Sequence, residues 1–124
     1  MAVHWRDLCG GERIEFAGDD VIVYFDNHRK HRVRVRELDD RIEFEATVAG
    51  AAAVEGVEGL PLELWKTNRA LQLVSLRIDP KGHVRAHGWV SRAGLTAAEF
   101  QLVLRRVAEE ADRIEYRLTG RDAH

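Results

Sequence analysis

An apolar stripe near the C-terminal end constrains this chain more than any other feature. Apolar residues recur there at steps of four and three, namely Phe100, Leu104, Val107, Ala111, Ile114 and Leu118. This spacing places them on one side of a long helix. Thr96 and Glu99 form a capping box at its start, Leu95 packs as a hydrophobic staple, and Gly120 can cap its end. A helix with one apolar side must bury that side, so the rest of the chain has to supply an apolar layer.

Two alternating runs in the first half predict part of that layer. Residues 31–37 and 41–48 alternate apolar and charged side chains, and Asp39-Asp40 makes a turn between them. The predicted register pairs Arg36 with Glu43, Arg34 with Glu45, Val35 with Phe44 and Val33 with Ala46. Charges then meet on one face and apolar groups on the other, as an antiparallel hairpin with one wet face requires. Two earlier strands are predicted over 13–16 and 21–25, joined by a turn at 17–20.

The second half predicts a short helix and another hairpin. Residues 50–59 are rich in small side chains and predict a connector, and Pro61 suits the first turn of a helix over 62–70. The strands of the hairpin extend from Leu73 to Ile78 and from Val84 to Val90, across a turn at 79–82. That loop pairs Ile78 with Val84, Leu76 with Ala86 and Val74 with Gly88, and it places Leu73 beside Trp89 and Ser75 beside His87.

The predicted fold is therefore α+β. It is an antiparallel, twisted sheet of five to six strands, with one short helix and one long C-terminal helix packed on it. The length of 124 residues is typical of one domain, so we expect residues 1–124 to form a single domain.

From residue 62 to residue 120, about half of the chain, the sequence resembles the type III secretion chaperone-like superfamily, in particular its YbjN-type members. The residues that carry the resemblance are 64–69 (LWKTNR), 77–82 (RIDPKG), 94–96 (GLT), Glu99-Phe100 and 107–112 (VAEEAD). The resemblance implies a five-stranded antiparallel sheet with helices on it, often dimeric, that binds partner polypeptides or acts in regulation. It implies no catalytic residues. Proteins of this superfamily usually begin with a substantial helix, whereas here we expect the strand over 13–16 to take its place.

Composition excludes several other classes of function. The formal charge of −2 gives no overall field toward nucleic acid or an acidic membrane, so nucleic-acid binding is not favoured. Cys9 is the single cysteine and can form neither an internal disulfide nor a zinc site alone. The first residues lack the pattern of a signal peptide, and no apolar run is long enough for a membrane span, so we expect a cytoplasmic protein. The preference for arginine over lysine, with abundant Ala, Gly and Val, is typical of a GC-rich bacterial genome.

No residues form a recognisable catalytic or cofactor motif. His83 and His87 are four apart, but on a strand that spacing covers roughly 13 Å, so no shared metal ion is expected. The carboxylate pairs Asp19-Asp20 and Asp39-Asp40 lie at predicted turns, where aspartate is expected for local hydrogen bonding. Cys9 near His4 is interpreted as a small residue beside a terminus. We therefore predict no enzyme, no cofactor and no metal.

A basic run gives the alternative function. Residues 28–36 contain Arg29, Lys30, Arg32, Arg34 and Arg36, which could bind nucleic acid or another anion. The competing interpretation is a solvated strand whose arginines pair with Glu43 and Glu45, and the overall charge favours it.

The main functional hypothesis concerns the sheet face opposite the long helix. Trp89, Leu73 and His87 share that face, Tyr24 lies on it if the two hairpins join in one sheet, and Trp65 belongs to the short helix. Either the short helix covers these side chains as core, or they form an interface. We predict a non-enzymatic protein-binding module, chaperone-like or regulatory, and a homodimer. The predicted partner-binding residues are Tyr24, Trp65, Leu73, Arg77, Arg85, His87 and Trp89.

Overall fold

The computed structural model describes residues 4–120. Its helices are a 3-10 helix Trp5–Leu8, α1 Ala51–Val54, α2 Leu60–Ala70 and α3 Ala97–Thr119. Its strands are β1 Ile14–Ala17, β2 Asp20–Tyr24, β3 Lys30–Glu37, β4 Arg41–Ala49, β5 Ser75–Ile78 and β6 Val84–Ser91. The described residues form a six-stranded antiparallel sheet in the order β1-β2-β3-β4-β6-β5. The predicted α+β class, with a short helix and a long C-terminal helix, is confirmed.

The register of the first predicted hairpin is confirmed. Arg36 lies opposite Glu43, Arg34 opposite Glu45 and Val35 opposite Phe44. A one-residue slip would have turned every valine of β3 toward water, so burial of one face fixes the pairing. Along β3 the burial alternates strictly, with the valines buried and the arginines exposed.

The ion pairs on the polar side differ from the simple cross-strand pairing that the register suggested. Arg32 and Arg34 both bind the Asp20 carboxylate, at 2.9 and 3.0 Å. Glu45 is bound at 2.6 Å by Arg77 of β5 instead of by Arg34. Arg34 lies directly opposite both Asp20 of β2 and Glu45 of β4, and Arg77 reaches across β6 to Glu45. The register of one hairpin therefore does not decide which carboxylate each arginine binds.

The second hairpin is confirmed in register but is shorter than predicted. Ile78 pairs with Val84, Leu76 with Ala86 and Ser75 with His87. The prediction that Leu73 and Val74 extend this strand is wrong, because β5 begins at Ser75. Leu73 has a φ of 68°, a left-handed conformation that interrupts an extended strand.

The turn of this hairpin is held by one carboxylate. Asp79 accepts hydrogen bonds from the backbone N–H groups of Lys81 and His83, at 2.9 and 3.0 Å, and from Nε of Arg85 at 3.1 Å. Burial alone would raise the pKa of Asp79, but these donors outweigh it and lower the pKa. Because folding lowers the pKa of Asp79, its ionised carboxylate stabilises the turn at pH values above the usual pKa of an aspartate. This stability is lost as the pH falls through the lowered pKa.

The long helix begins and ends where the sequence predicted. The Thr96 hydroxyl accepts a hydrogen bond from the backbone N–H of Glu99 at 3.2 Å, and Gly120 takes a left-handed φ of 71° at the other end. α3 packs its apolar side on one face of the sheet, which we call the inner face. The buried residues of that face include Val21, Val23, Val33, Val35, Ile42, Phe44, Ala46, Val84, Ala86 and Val90.

The short helix lies beside α3 and not on the opposite face. The Thr67 hydroxyl of α2 accepts a hydrogen bond from Arg117 of α3 at 2.8 Å, and Leu64 joins the buried core. Since both helices occupy the inner side, the interpretation in which α2 covers the opposite, outer face is wrong. None of the described helices has the length and apolar content that a membrane crossing requires.

A side chain of α2 closes the edge of the sheet at β5. The Asn68 amide donates to the Leu76 carbonyl at 2.9 Å, and its oxygen accepts from the Leu76 N–H at 2.7 Å. Asn68 thereby satisfies the backbone groups that an edge strand otherwise leaves open to another chain.

We expect Asn68→Ala to destabilise the protein by about 1–3 kcal/mol, because two backbone groups of β5 lose their partner. Urea unfolding followed by circular dichroism measures the change. Lys66→Ala, on the same helix, is the matched control and should change the free energy of unfolding by less than about 0.5 kcal/mol. Equal stabilities of the two variants would show that Asn68 does not secure the edge.

Candidate functional site

The described helices leave the outer face of the sheet uncovered. It carries charged and polar side chains from five strands, among them Asp20, Arg32, Arg34, Glu43, Glu45, Arg77 and Arg85. Most of these charges are paired across the strands. The face is therefore a polar surface on which a few apolar side chains stand out.

A shallow groove lies at one end of this face, where β6 extends past the start of β5. It is lined by Leu73, Val74, Ser75, His87, Gly88 and Trp89, and we call it the outer groove. β5 pairs with β6 only from Val84 to His87, so the last residues of β6 lie beyond the reach of that ladder. The side chains of Trp89 and Leu73 are 56% and 53% exposed. The structure thus brings together the three residues Leu73, His87 and Trp89 that the sequence placed on one face.

Leu73 is held in a conformation that leucine rarely adopts. Its φ of 68° lies in the left-handed region, where the β-carbon of an L-residue is crowded. Strained backbone of this kind concentrates at functional sites, where the surrounding structure imposes it. Here the strained residue carries one of the two large apolar side chains of the outer groove.

Among the polar residues predicted for partner binding, His87 lines the groove, whereas Arg77 and Arg85 lie further along the same face. Arg77 and Arg85 are direct cross-strand neighbours. Arg77 is bound to Glu45, while Arg85 binds Asp79 and the Thr47 hydroxyl. Nε2 of His87 lies 3.7 Å from the Glu43 carboxylate. A partner could engage Arg77 without breaking the fold, because its side chain is more than half exposed.

The structure does not bring Tyr24 or Trp65 to the outer groove. Tyr24 is on β2, three strands away from β6 in the sheet, and its hydroxyl donates to Glu15 at 2.8 Å. Trp65 is exposed on α2, where the guanidinium of Arg69 lies 5.2 Å from its ring centroid. Tyr24 and Trp65 therefore lie apart from the outer groove, Tyr24 on a distant strand of the same sheet and Trp65 on a helix.

Three arginines of the basic run form ion pairs within the protein. Arg32 and Arg34 share the Asp20 carboxylate, and Arg29 binds Asp112 at 2.8 Å. Lys30 lies over the ring of Tyr24 at 5.9 Å, and Arg36 is exposed on the outer face. Arg29 and Lys30 thus have partners of their own, while Arg32, Arg34 and Arg36 are exposed on the outer face of β3, where Asp20 offsets part of their charge.

The remaining sequence candidates lie apart from one another. Nδ1 of His83 accepts a hydrogen bond from the backbone N–H of Ala51 at 2.8 Å, whereas His87 lies on the outer face of β6. His4 stacks on Trp5, and Cys9 is buried with its thiol 3.7 Å from the Trp5 carbonyl. Burial raises the pKa of the Cys9 thiol to about 11, although the nearby Arg6 lowers it somewhat.

We expect Cys9 to react slowly with iodoacetamide at pH 8, because little thiolate exists far below the raised pKa and the side chain is buried. Alkylation followed by mass spectrometry measures the rate. The control is the same protein in denaturant, which should react at least about tenfold faster, since an ordinary thiol pKa is near 8.5. Equal rates would contradict the buried position.

Sequence reasoning missed a buried polar cluster between the sheet and α3. His31, Asp112 and Glu115 are all buried, and one ligand-type atom from each lies within 4.8 Å of the others. Alternation along β3 gives the signal for His31, since it is in phase with Val33 and Val35 on the inner face. The helical repeat gives the signal for the carboxylates, because Asp112 and Glu115 are one turn apart beside the apolar stripe.

A second concavity adjoins this cluster. It is a cleft of about 470 Å³ between the end of β2 and the outer side of α3. Tyr24, Arg29, Arg105, Asp112 and Tyr116 are among its lining residues. The guanidinium of Arg29 lies 4.7 Å from the Tyr116 ring centroid, and both residues line the cleft together with Asp112 of the buried cluster.

The element order and the six-stranded sheet define a known class of fold, that of the type III secretion chaperones. One similar solved structure is the Yersinia pestis type III secretion chaperone SycH in complex with a stable fragment of YscM2, at 11% identity and a TM-score of 0.55. The match covers 90% of this chain and 99% of that chain.

Two further solved structures have the same fold. The crystal structure of the ExsC–ExsE complex matches at 22% identity and a TM-score of 0.59, over 79% of this chain and 74% of that chain. The HopA1–SchA chaperone–effector complex matches at 11% identity and a TM-score of 0.56, over 90% and 87%. No protein-family model and no curated protein matches the sequence. The predicted chaperone-like fold is confirmed, while the YbjN-type assignment stays a prediction.

Proposed function

We propose that this chain is a non-enzymatic, chaperone-like protein-binding module that captures a segment of a partner polypeptide in the outer groove. The observation that carries the proposal is the exposed pair Trp89 and Leu73, which flank a groove that none of the described helices covers. Solved structures with this fold are complexes of a chaperone with another protein, which supports the same class of function.

The proposed mechanism is burial of apolar surface with polar selection at the rim. Trp89 and Leu73 supply contact area, and aromatic side chains in a groove contribute most to interfaces of this kind. His87 lines the groove, and Arg77 and Arg85 lie further along the same face. All three would orient polar or acidic groups of the segment. No covalent step is involved, and we propose a cytoplasmic location.

We also propose that the protein acts as a homodimer, with Trp65 on α2 at the contact between copies. Trp65 is 59% exposed and lies outside the outer groove, so its large apolar surface is available for a second interface. Sedimentation equilibrium of wild type and Trp65→Ala tests this separately from partner capture. A monomeric wild-type protein would overturn the dimer and leave the groove hypothesis standing.

We expect Trp89→Ala to weaken partner capture by at least about 30-fold, since a central aromatic residue of an interface contributes about 2 kcal/mol or more. Affinity capture from the native cell extract with quantitative mass spectrometry identifies the partner, and titration of the purified pair then gives the affinity. Leu102→Ala is the matched control, because Leu102 is equally exposed but lies on α3.

Two results would count against the groove. Equal affinities of the Trp89→Ala and Leu102→Ala variants would show that the outer groove is not the binding surface. A steep loss of affinity with added salt would favour the anionic-ligand alternative, since phosphate contacts depend strongly on salt and apolar contacts do not.

A further inference from the structure

The chain turns away from the sheet just before β5, and this leaves one side of β6 open. β5 begins at Ser75, opposite His87, so a longer strand in the same register would place Leu73 opposite Trp89. The left-handed φ of Leu73 ends the extended segment instead. The Leu73 carbonyl oxygen lies only 3.0 Å from the point that a β-carbon on Gly88 would occupy, so the segment before β5 passes on the inner side of β6. The outer groove therefore includes an uncovered edge of β6.

The hydrogen bonds of β5 reveal which backbone groups face this open edge. In an antiparallel sheet the N–H and C=O of one residue point to one neighbouring strand, and those of the next residue point to the other. The N–H and C=O of Leu76 point away from β6, because both bind the Asn68 side chain. Ala86, the partner of Leu76 on β6, therefore turns its own N–H and C=O toward β4.

The same alternation leaves Trp89 and Ser91 facing the open edge. Gly88 and Val90 follow Ala86 at steps of two, so their N–H and C=O groups point to β4, opposite the residues with which they pair. Trp89 and Ser91 fall between them and point the other way. Within residues 4–120, no hydrogen bond reaches the backbone N–H or C=O of Trp89 or Ser91. Such groups on a strand edge can pair with another chain.

We propose that the partner segment binds as an added strand beside β6, in line with β5, and forms backbone hydrogen bonds with Trp89 and Ser91. This rests on the proposed capture of a polypeptide in the outer groove. An extended polypeptide is the class of ligand that presents N–H and C=O groups at the spacing of a strand, ~3.3 Å per residue.

The exposed side chains of the groove define which residue of the segment fits best. The residue opposite Trp89 has its side chain on the outer face, because directly opposite residues of a sheet share a face. There it packs against the half-exposed ring of Trp89 and beside Leu73. A β-branched or aromatic side chain suits this position, since such pairs stabilise neighbouring strands.

Amide hydrogen exchange of the free, full-length protein tests the open edge before any partner is added. The N–H groups of Trp89 and Ser91 should exchange at least about tenfold faster than those of Gly88 and Val90, because only the latter pair is hydrogen bonded. Nuclear magnetic resonance resolves the four amides. Slow exchange at Trp89 and Ser91 would overturn the proposal. If the exchange slows as the protein concentration rises, the edge is occupied by a second copy and not by a partner segment.

Short peptides selected on the full-length protein from a random phage-displayed library supply the probe. Bound peptide should slow the exchange of the Trp89 and Ser91 amides. Methylation of single peptide amides should weaken binding only at every second position, since alternate N–H groups of a strand face the same neighbour. Ser91→Pro removes an edge donor without removing a bond to β4, and it should weaken peptide binding about fivefold. Ser91→Ala is the matched control and should bind as the wild type does.

The outcomes separate the added strand from the proposed function. Peptides that lose affinity in Trp89→Ala but tolerate methylation at every position bind in the groove without forming a strand, so the added strand alone is wrong. Peptides that bind wild type and Trp89→Ala equally, or a selection that yields no peptide, contradict the groove itself. If Ser91→Pro does not fold, the methylation pattern and the exchange of the wild-type amides still decide the outcome.

Discussion

Phe100→Ala should lower the free energy of unfolding by about 3–5 kcal/mol, the range for removing a buried phenylalanine from a close-packed core. Phe100 is fully buried where α3 begins to cross the sheet, and its ring meets that of Phe44 edge to face at 5.0 Å between centroids. The small side chain would leave a cavity and would also remove the aromatic contact. Urea unfolding of the purified variant, followed by tryptophan fluorescence, measures the loss.

The matched control for this change is Leu102→Ala on the same helix. Leu102 is half exposed and outside the buried core, so its truncation should alter the free energy of unfolding by no more than about 0.5 kcal/mol. Similar losses in the two variants would mean that α3 does not pack on the sheet through the side that begins at Phe100. The apolar stripe would then lose its role as the main determinant of the fold.

Gly88→Val should destabilise the protein by about 3 kcal/mol, at the upper end of what overpacking costs. A β-carbon at Gly88 would lie 2.8 Å from the Val107 side chain and 3.0 Å from the Leu73 carbonyl oxygen. A backbone oxygen cannot move aside as the end of a flexible side chain can. The absence of a side chain on β6 therefore lets α3 and the segment before β5 approach closely.

Gly56→Val provides the comparison for this substitution, since a β-carbon at Gly56 would meet no atom within 4 Å. Thermal unfolding of the two variants should differ by several degrees, because about 1 kcal/mol shifts the melting temperature by roughly 2–8 °C in domains of this size range. If Gly88→Val and Gly56→Val have the same melting temperature, the close approach of α3 and the segment before β5 to β6 is not required for stability. The outer groove would then be less tightly built than the structure indicates.

The Trp89→Ala and Phe100→Ala variants together distinguish effects on partner binding from effects on folding. Trp89 is more than half exposed, so Trp89→Ala should leave the free energy of unfolding nearly unchanged while it weakens partner capture. Phe100→Ala should lower the free energy of unfolding but leave partner capture nearly unchanged at temperatures where the variant remains folded. This contrast distinguishes a surface that recognises a partner from a core that only supports it.

The secondary structure was largely predictable because its signals are local. The capping box at Thr96 and the left-handed Gly120 set the limits of α3, and alternation on β3 and β4 set a register that the structure confirms. The limit of such signals appears at Leu73. An apolar residue in alternating phase predicted a longer β5, but a left-handed backbone ends the extended segment there.

The site could be predicted only in part. Leu73, His87 and Trp89 meet because they belong to one hairpin, whose register the sequence fixes. Tyr24 does not join them, since strand order decides which hairpins are neighbours and alternation carries no information about that order. The sequence also could not say that α2 lies beside α3, which leaves the outer face open.

By itself, the sequence determined the periodic elements, their caps and the pairing within each hairpin, because these depend on residues close together in the chain. Only the tertiary structure decided which face stays uncovered and which distant polar groups converge in the core. His31 and Asp112 meet because β3 lies under α3, and burial forces charged groups brought together in this way to find compensation.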